Sequence, residues 1–292
     1  MLRSRRLSLT EYSDFCANKD LSPALQPALT DYYFNQLGRK PAIIGRCDSD
    51  GRLVAAYPTL YGQVFPNVIH KRLLGKGAAK LGDFGQPETL IPLESTPAKI
   101  SLNRLSPMTS ALLKGRVREW PRRSLRSMAI SRQKSGRNPR QAAGQFLRGG
   151  GVAHFTSELD RDDFADILVR LYSQRWNRHP DELRYVADQV RSVYEHVFGC
   201  VLVDQGEPAA VLMCHIAHGR TLDCIDAILT ATKPAERKRM SYGSILYFMA
   251  ATRAEEMAAA ARRELRYSYG FISGPSDYKN LWANAEPTFI AY

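Results

Sequence analysis

Between residues 160 and 271 the spacing of apolar side chains switches from helix to strand period and back, and that order limits what the chain can become. From Asp160 to Trp176, Phe164, Ile167, Leu168, Leu171 and Tyr172 share one helical face. Ser157 and Asp160 are both suited to cap its start. Residues 181–197 repeat the pattern through Leu183, Val186, Val190, Val193, Tyr194 and Val197. Three strands are predicted next, over 199–204, 208–217 and 221–229, turning at Asp204-Gln205-Gly206 and at His218-Gly219-Arg220. A helix from about Ser241 to Ala261 follows, packing Ile245, Phe248, Met249 and Thr252, then a strand Leu265–Phe271 and an irregular end. Helix, helix, three antiparallel strands, loop, long helix and strand make an α+β layer: a sheet with helices packed on it.

The first half is similar. A helical stretch around Ser22–Leu37 leads to a strand at Pro41–Ile44, a turn at Asp48-Ser49-Asp50-Gly51 and a strand Leu53–Leu60. Gly51 and Gly206 supply the left-handed residue a short hairpin needs. The 292 residues suit two domains at roughly 150 each. A composition 44% hydrophobic and 24% charged excludes a disordered or fibrous chain. The longest apolar run, Pro208–Cys214 extended to Ile216-Ala217, contains His215 and is too short to span a bilayer, which excludes an integral helical membrane protein. The start MLRSRRLSLTEYSDF is basic like a secretory leader, but Glu11 and Asp14 interrupt the apolar stretch, so a cytoplasmic location is expected. The five cysteines (Cys16, Cys47, Cys200, Cys214, Cys224) include no Cys-x-x-Cys pair. Cys214 and Cys224 are expected to face each other across a hairpin, as two packed thiols in a reducing compartment or as a bridge.

Charge divides the chain. Residues 104–148 hold 12 basic side chains against one acid, Glu119, and so carry +11 of the formal +12. Such a block repels itself and stays solvated unless an anion neutralises it. It reads as a basic connector between lobes 1–103 and 149–292. Either it serves solubility alone, or Arg116, Arg118, Arg122, Arg123 and Arg126 cradle RNA, a polyphosphate, lipopolysaccharide or an acidic lipid. Trp120, Leu125, Met128 and Ile130 lie among the charges, suiting nucleotide stacking or an interfacial face. Sequence-specific DNA binding has only the charge behind it, because Pro107, Pro121 and Pro139 break any helix-turn-helix.

At the start of the long helix, Ser241 can cap while Gly243 admits a ligand close to the backbone. Amide groups at a helix start hold anions, and Arg237, Lys238 and Arg239 just upstream add attraction. Ser241, Tyr242, Gly243 and Ser244 are therefore the candidate anion-binding residues, with an ordinary capped helix as the bland reading. Asp226, expected on one strand face with Cys224 and Ile228, lies in an apolar setting that suits a proton acceptor. A structural aspartate fits the same position. Asp83-Phe84-Gly85 imitates a kinase triplet without the accompanying glycine-rich loop or catalytic segment. His215 and His218 diverge and lack a third zinc ligand, so no metal is expected. No Gly-x-Ser-x-Gly elbow is present.

The order of elements, with the residues in it, resembles the GNAT acyltransferase superfamily, and within it the tandem-lobe branch of Fem-type aminoacyl transferases and CelD-like proteins. The carrying residues are Asp204-Gln205-Gly206-Glu207-Pro208-Ala209, Met240–Leu246, Tyr267-Ser268-Tyr269-Gly270 and Asp277-Tyr278-Lys279-x-x-Trp282. Asp50–Leu60, Leu73-Leu74-Gly75 and Gly82-Asp83-Phe84-Gly85 are similar to the opening lobe of that branch. Arg175-Trp176 with the later Ser-Tyr-Gly and Tyr-Lys motifs narrows the resemblance to the macrophage-inducible Mig-fourteen family, associated with resistance to cationic antimicrobial peptides.

The resemblance implies two GNAT-like lobes, each a mostly antiparallel twisted sheet packed with helices. It implies an acyl- or aminoacyltransferase acting on an amino group of lipopolysaccharide or a precursor, without a tightly bound cofactor. The donor would be acyl-CoA or aminoacyl-tRNA, bound by Arg237, Lys238, Arg239, Ser241, Tyr242, Gly243 and Ser244, with Asp226 as the base that acyl transfer to an amine needs. Lys279 and Tyr278 would orient substrate or hold the oxyanion, and Asp83, Phe84 and Trp176 would line the acceptor groove. Arg239-Met240-Ser241-Tyr242-Gly243-Ser244 departs from the superfamily's acetyl-CoA signature by lacking its first glycine, which argues against coenzyme A. The rival reading is a non-catalytic GNAT-like protein docked through its basic connector on the inner membrane or an acidic partner.

Overall fold

The computed structural model describes residues 3–17, 19–21, 23–36, 42–60, 63–64, 98–100, 117–127, 139–234, 241–272 and 284–291. The amino-terminal part contributes β1 (Arg3–Leu7), α1 (Leu9–Cys16), α2 (Pro27–Gln36), β2 (Ala42–Cys47), β3 (Leu53–Leu60) and β4 (Gln63–Val64). These strands form an antiparallel sheet in the order β1-β2-β3-β4. A reciprocal cap starts α1: Ser8 Oγ accepts from the Glu11 amide at 3.1 Å, and the Glu11 carboxylate accepts from the Ser8 amide at 2.7 Å. Leu7, Tyr12, Cys16, Leu21, Ile43 and Ala56 make a small core behind this sheet.

The rest of the chain adds β5 (Ala98–Ile100), β6 (Val117–Ser127), α3 (Pro139–Arg148), β7 (Val152–Phe155), α4 (Arg161–Trp176) and α5 (Arg184–Ser192). Then come β8 (Val197–Asp204), β9 (Glu207–His218), β10 (Leu222–Thr232), α6 (Tyr242–Ala260), β11 (Glu264–Ile272) and β12 (Asn284–Ala291). The eight strands form one sheet in the order β5-β12-β6-β11-β10-β9-β8-β7. All neighbours are antiparallel except β10 and β11, which α6 joins as a parallel pair. Helices packed on mixed sheets make the fold α+β, as the order of periodicities predicts.

Local chemistry sets these boundaries. The β8–β9 turn places Gln205 (φ 53°) and Gly206 (φ 81°) both in the left-handed region, the pair a two-residue hairpin turn requires. Asp160 caps α4 by accepting from the Asp162 amide at 2.7 Å, and Asn177 (φ 47°) closes its other end. The second predicted helix is shorter than its apolar pattern: short 3-10 turns at Pro180–Leu183 and Tyr194–His196 bracket α5, and Val197 already belongs to β8. Residues 117–127, inside the basic segment, are a strand between β12 and β11. Pro121, which has no amide hydrogen for the ladder, falls where the β6–β12 register shifts, between the pairs Glu119–Phe289 and Ser124–Pro287.

Strand alternation divides the core around the large sheet. Leu212, Cys214 and Ile216 of β9 face α3 and α6, packing with Phe146, Ile245, Leu246 and Ala250. Val211 and Met213 face α4 and α5, packing with Phe164, Leu168, Val186 and Val190. This separation corrects the expectation for Cys214 and Cys224. Cys214 is opposite Ala227 and Cys224 opposite Ala217, so the two lie on different faces. All five cysteines are buried free thiols. No described helix is long and apolar enough to cross a membrane.

The amino-terminal segment closes the α4 side of the large sheet. Asp20 accepts from the Thr221 amide at 2.8 Å, the Thr221 hydroxyl at 2.6 Å and the Leu222 amide at 3.1 Å, fixing the β9–β10 turn. Leu29, Tyr32, Tyr33 and Phe34 of α2 pack with Val193, and Gln189 of α5 donates to the Tyr33 hydroxyl.

Candidate active site

β10 and β11 pair only from Leu222–Asp226 against Glu264–Ser268. Beyond that point β10 stays with β9 as far as Thr232, and β11 turns to β6 at Phe271 and Ile272. The two parallel strands therefore part immediately after Asp226 and Ser268. A bulge in β10, between Ala227 and Leu229, sits at the point of parting and bends the strand there.

Asp226 and Ser268 are 3% and 1% exposed. Their row continues across the ladder, because Asp226 opposes His215 on β9, and Ser268 opposes Ser127 on β6, itself paired with Asn284 on β12. Cross-strand partners share a sheet face. His215, two residues after Met213, thus places Asp226 and Ser268 on the α4 side. Ile228 packs on this same face with Val211 and Met213, as its spacing from Asp226 and Cys224 predicts, and the bulge adds Leu229 beside it, so the alternation breaks only after Ile228. The face turned to α6 is aromatic instead. Tyr269 meets Tyr247 edge-on at 4.8 Å and Tyr267 at 5.0 Å, Thr230 and Tyr247 share a hydroxyl bond of 2.9 Å, and Cys214 Sγ lies 3.3 Å from the Tyr267 hydroxyl.

The start of α6 lies on this second face. Ser241 is its cap: Oγ accepts from the Ser244 amide at 3.3 Å and its carbonyl from the Ile245 amide at 3.1 Å. The Ser244 amide is therefore committed to the cap. Tyr242 turns inward, 5% exposed, and donates its hydroxyl to Asp204 of the β8–β9 hairpin. At Gly243 a Cβ would find, among the described residues, only Thr232 Cγ2 within 4 Å, at 3.9 Å.

Asp226 lies at the parting of the strands, whereas Ser241, Tyr242, Gly243 and Ser244 begin α6 on the other face, beside Thr232 at the far end of β10 and Asp204. Trp176 is not among them. It ends α4 on the opposite side of the sheet from α6, 52% exposed, with the Arg175 guanidinium 5.3 Å from its ring. Arg118, Arg122, Arg123 and Arg126 occupy positions along β6. Arg116, Asp83, Phe84, Arg237, Lys238, Arg239, Tyr278 and Lys279 lie outside the described residues.

Two residues at this centre were passed over in the sequence. His215 is read there only as a failed zinc ligand, and Ser268 only as part of a motif. Their signal is polarity within apolar strands: His215 interrupts Ala209–Ala217, and Ser268 sits between Tyr267 and Tyr269. His215 is fully buried, and neither ring nitrogen has a hydrogen-bond partner among the described residues. Burial, then the nearby His196, pushes its pKa down to about 3, so the ring is neutral at pH 7. The sign follows from linkage. The unfolded ring takes a proton below about pH 6.5 while the folded one does not, so stability falls as pH drops from 6.5 toward 3. Between pH 7 and pH 5 this one residue is expected to remove about 2 kcal/mol of unfolding free energy. Urea titrations of the wild type and of His215→Gln measure it; equal pH slopes in the two proteins would refute the assignment.

Solved structures share this fold. FemX matches with a TM-score of 0.61 at 10% identity, over 99% of this chain and 96% of its own. A conserved protein of unknown function from Bacteroides thetaiotaomicron matches at 0.53 and 10% identity, over 100% and 99% of the two chains. L-PGS from Bacillus licheniformis matches at 0.51 and 14% identity, over 97% and 90%. At these identities the likeness is one of fold. No curated protein matches the sequence. The model of one family, Mig-14, matches residues 28–291. With its long helix between parting parallel strands, and with that match over nearly its whole length, the chain belongs to the Mig-14 family.

Proposed function

We propose that the chain transfers an acyl or aminoacyl group to an amine of a bacterial envelope component, the amino group of lipopolysaccharide or of a precursor. The change in surface charge or acylation would contribute to resistance against cationic antimicrobial peptides. The observation that carries the reading is the parting of β10 and β11 after Asp226; in this reading the donor comes from the start of α6 and the acceptor from the side of Asp226. Donor and acceptor approaching from opposite faces meet there without competing for one pocket. FemX and L-PGS, whose fold this is, support a transferase.

In this reading Asp226 accepts a proton from the acceptor ammonium, freeing its lone pair to attack the donor carbonyl. The tetrahedral oxyanion needs a donor, the role proposed for Tyr278 and Lys279. The leaving group departs as the hydroxyl of tRNA or the thiol of coenzyme A. The glycine missing from the acetyl-CoA signature at Arg239–Ser244 favours aminoacyl-tRNA. Arg116, Arg118, Arg122, Arg123 and Arg126, with Arg237, Lys238 and Arg239, are proposed to meet its phosphates. Asp83, Phe84 and Trp176 remain proposals for the acceptor.

The test is a transfer assay with labelled aminoacyl-tRNA and labelled acyl-CoA, each offered with lipopolysaccharide. Label is expected in the lipopolysaccharide fraction from the first donor. Incorporation from neither donor sinks the reading and leaves anionic docking through residues 104–148 as its replacement.

A further inference from the structure

A groove of about 1140 Å³ runs between α3 and α6 beside the edge strand β7. Leu147 of α3, Phe155 of β7 and Phe248 and Met249 of α6 give it an apolar floor, and Leu147 is 47% exposed. It is distinct from the parting of strands: Tyr247 faces the tyrosine cluster there, whereas Phe248 and Met249, the next residues around the helix, face the groove. Its size reaches the upper end of small-molecule sites, roughly 300–1,000 Å³.

Three observations point to an occupant that is apolar along its length and anionic at its head. Arg148 lies on the rim and makes no ion pair among the described residues. Arg253 holds its guanidinium 5.6 Å from the Phe155 ring, with Nε buried and without an acceptor, and Glu256 stands 3.8 Å from another of its nitrogens. A guanidinium nitrogen kept from water without an acceptor costs free energy that a bound oxyanion would return. The other rim carboxylate, Glu158, is engaged by the Phe155 amide at 3.2 Å.

The third observation is Gly144, inside α3. Glycine in a helix interior destabilises it relative to alanine. A Cβ here would approach only the guanidinium of Arg148, at 3.3 Å, the movable end of a flexible side chain. The chain's own packing does not require glycine at this position. What its absent side chain provides is depth in the groove.

We propose that this groove binds an acyl chain of an anionic phospholipid, with the phosphate held by Arg148 and Arg253. The floor offers a hydrocarbon chain contact along its length, and Met249 and Phe248 adapt to its bends. The proposal stands independently of the transfer chemistry.

Calorimetric titration of the full chain with dodecyl phosphate, below its critical micelle concentration, tests it. One-to-one binding is expected, weakened at least about tenfold in Gly144→Leu and in an Arg148→Gln, Arg253→Gln double variant. Gly144→Leu is expected to melt no lower than wild type, because leucine is the better helix former. Arg148→Gln alone, at an exposed position, provides a second variant that does not depend on filling the groove, and it is expected to bind more weakly. No binding by wild type, or undiminished binding by Gly144→Leu, overturns the site. Equal binding of dodecyl maltoside overturns the anionic head, and equal binding of inorganic phosphate overturns the acyl chain.

Discussion

Replacing Asp226 by asparagine is expected to slow transfer by about 10²–10⁴-fold, the range a positioned proton acceptor supplies. The amide matches the carboxylate in size and keeps one acceptor oxygen, but it cannot take a proton from an ammonium. The residue is 3% exposed at the last register position before β10 and β11 separate, next to His215 on one strand and Ser268 on the other. Asp223, three positions earlier on β10, illustrates the structural alternative. It is also buried, but Arg263 Nε at 2.9 Å and His218 Nδ1 at 3.0 Å satisfy it as an anchor between the turn and β11. Initial rates and melting temperatures of the two variants separate the roles. Asp226→Asn should lose rate and keep its melting temperature within a few degrees, whereas Asp223→Asn should lose stability. A rate within twofold of wild type for Asp226→Asn would make that residue structural.

The largest loss of stability is expected at the contact between Asp20 and the β9–β10 turn. Asp20→Ala removes three hydrogen bonds to a carboxylate and leaves the Thr221 and Leu222 amides in a covered turn without their acceptor. With bonds to a charged group contributing about 1.5–3 kcal/mol each, partly recovered by water, a net cost of about 3–4 kcal/mol follows. Gly219→Ala reaches the same contact from the other side, since its Cβ would lie 2.3 Å from Asp20 Oδ1 and 2.7 Å from the Leu222 carbonyl. Both changes break one interaction, so the double variant should cost clearly less than the two single costs combined. Burial alone would raise the Asp20 carboxyl, but the bonds from Thr221 and Leu222 reverse that and hold it below the usual carboxylate range. Its contribution is therefore complete above the ordinary carboxylate pKa of about 4 and is lost as pH falls through the lower folded value. Additive costs, or an Asp20→Ala protein with wild-type stability, would show that the clasp contributes little.

Much of the second half was legible because its periods are regular and its turns carry their own chemistry. Gln205-Gly206 fixed one hairpin, Asp160 one helix start and Ser241 another, and all three are local signals. The register of β10 was not legible. The bulge at Ala227–Leu229 puts Ile228 and Leu229 on one face and sits where the strands part, and nothing in the residues Asp226–Leu229 announces it. The inward turn of Tyr242 was not legible for a similar reason: it depends on Asp204, 38 positions earlier. Asp20 escaped notice altogether, because its partners lie about 200 residues away and its own neighbourhood reads as loop. His215 was visible as an interruption in an apolar run, yet only the cross-strand register connects it to Asp226.

The place of β12 in the large sheet has a consequence for how the molecule comes to be. Residues 284–291 enter between β5 and β6, strands that precede them by more than 150 positions. During synthesis on the ribosome, β5 and β6 therefore wait with open ladders until residues 284–291 have been made. Pairings so remote in sequence form slowly, and waiting edges invite neighbouring chains. The nascent protein is thus exposed to aggregation through these edges for as long as β12 has yet to arrive.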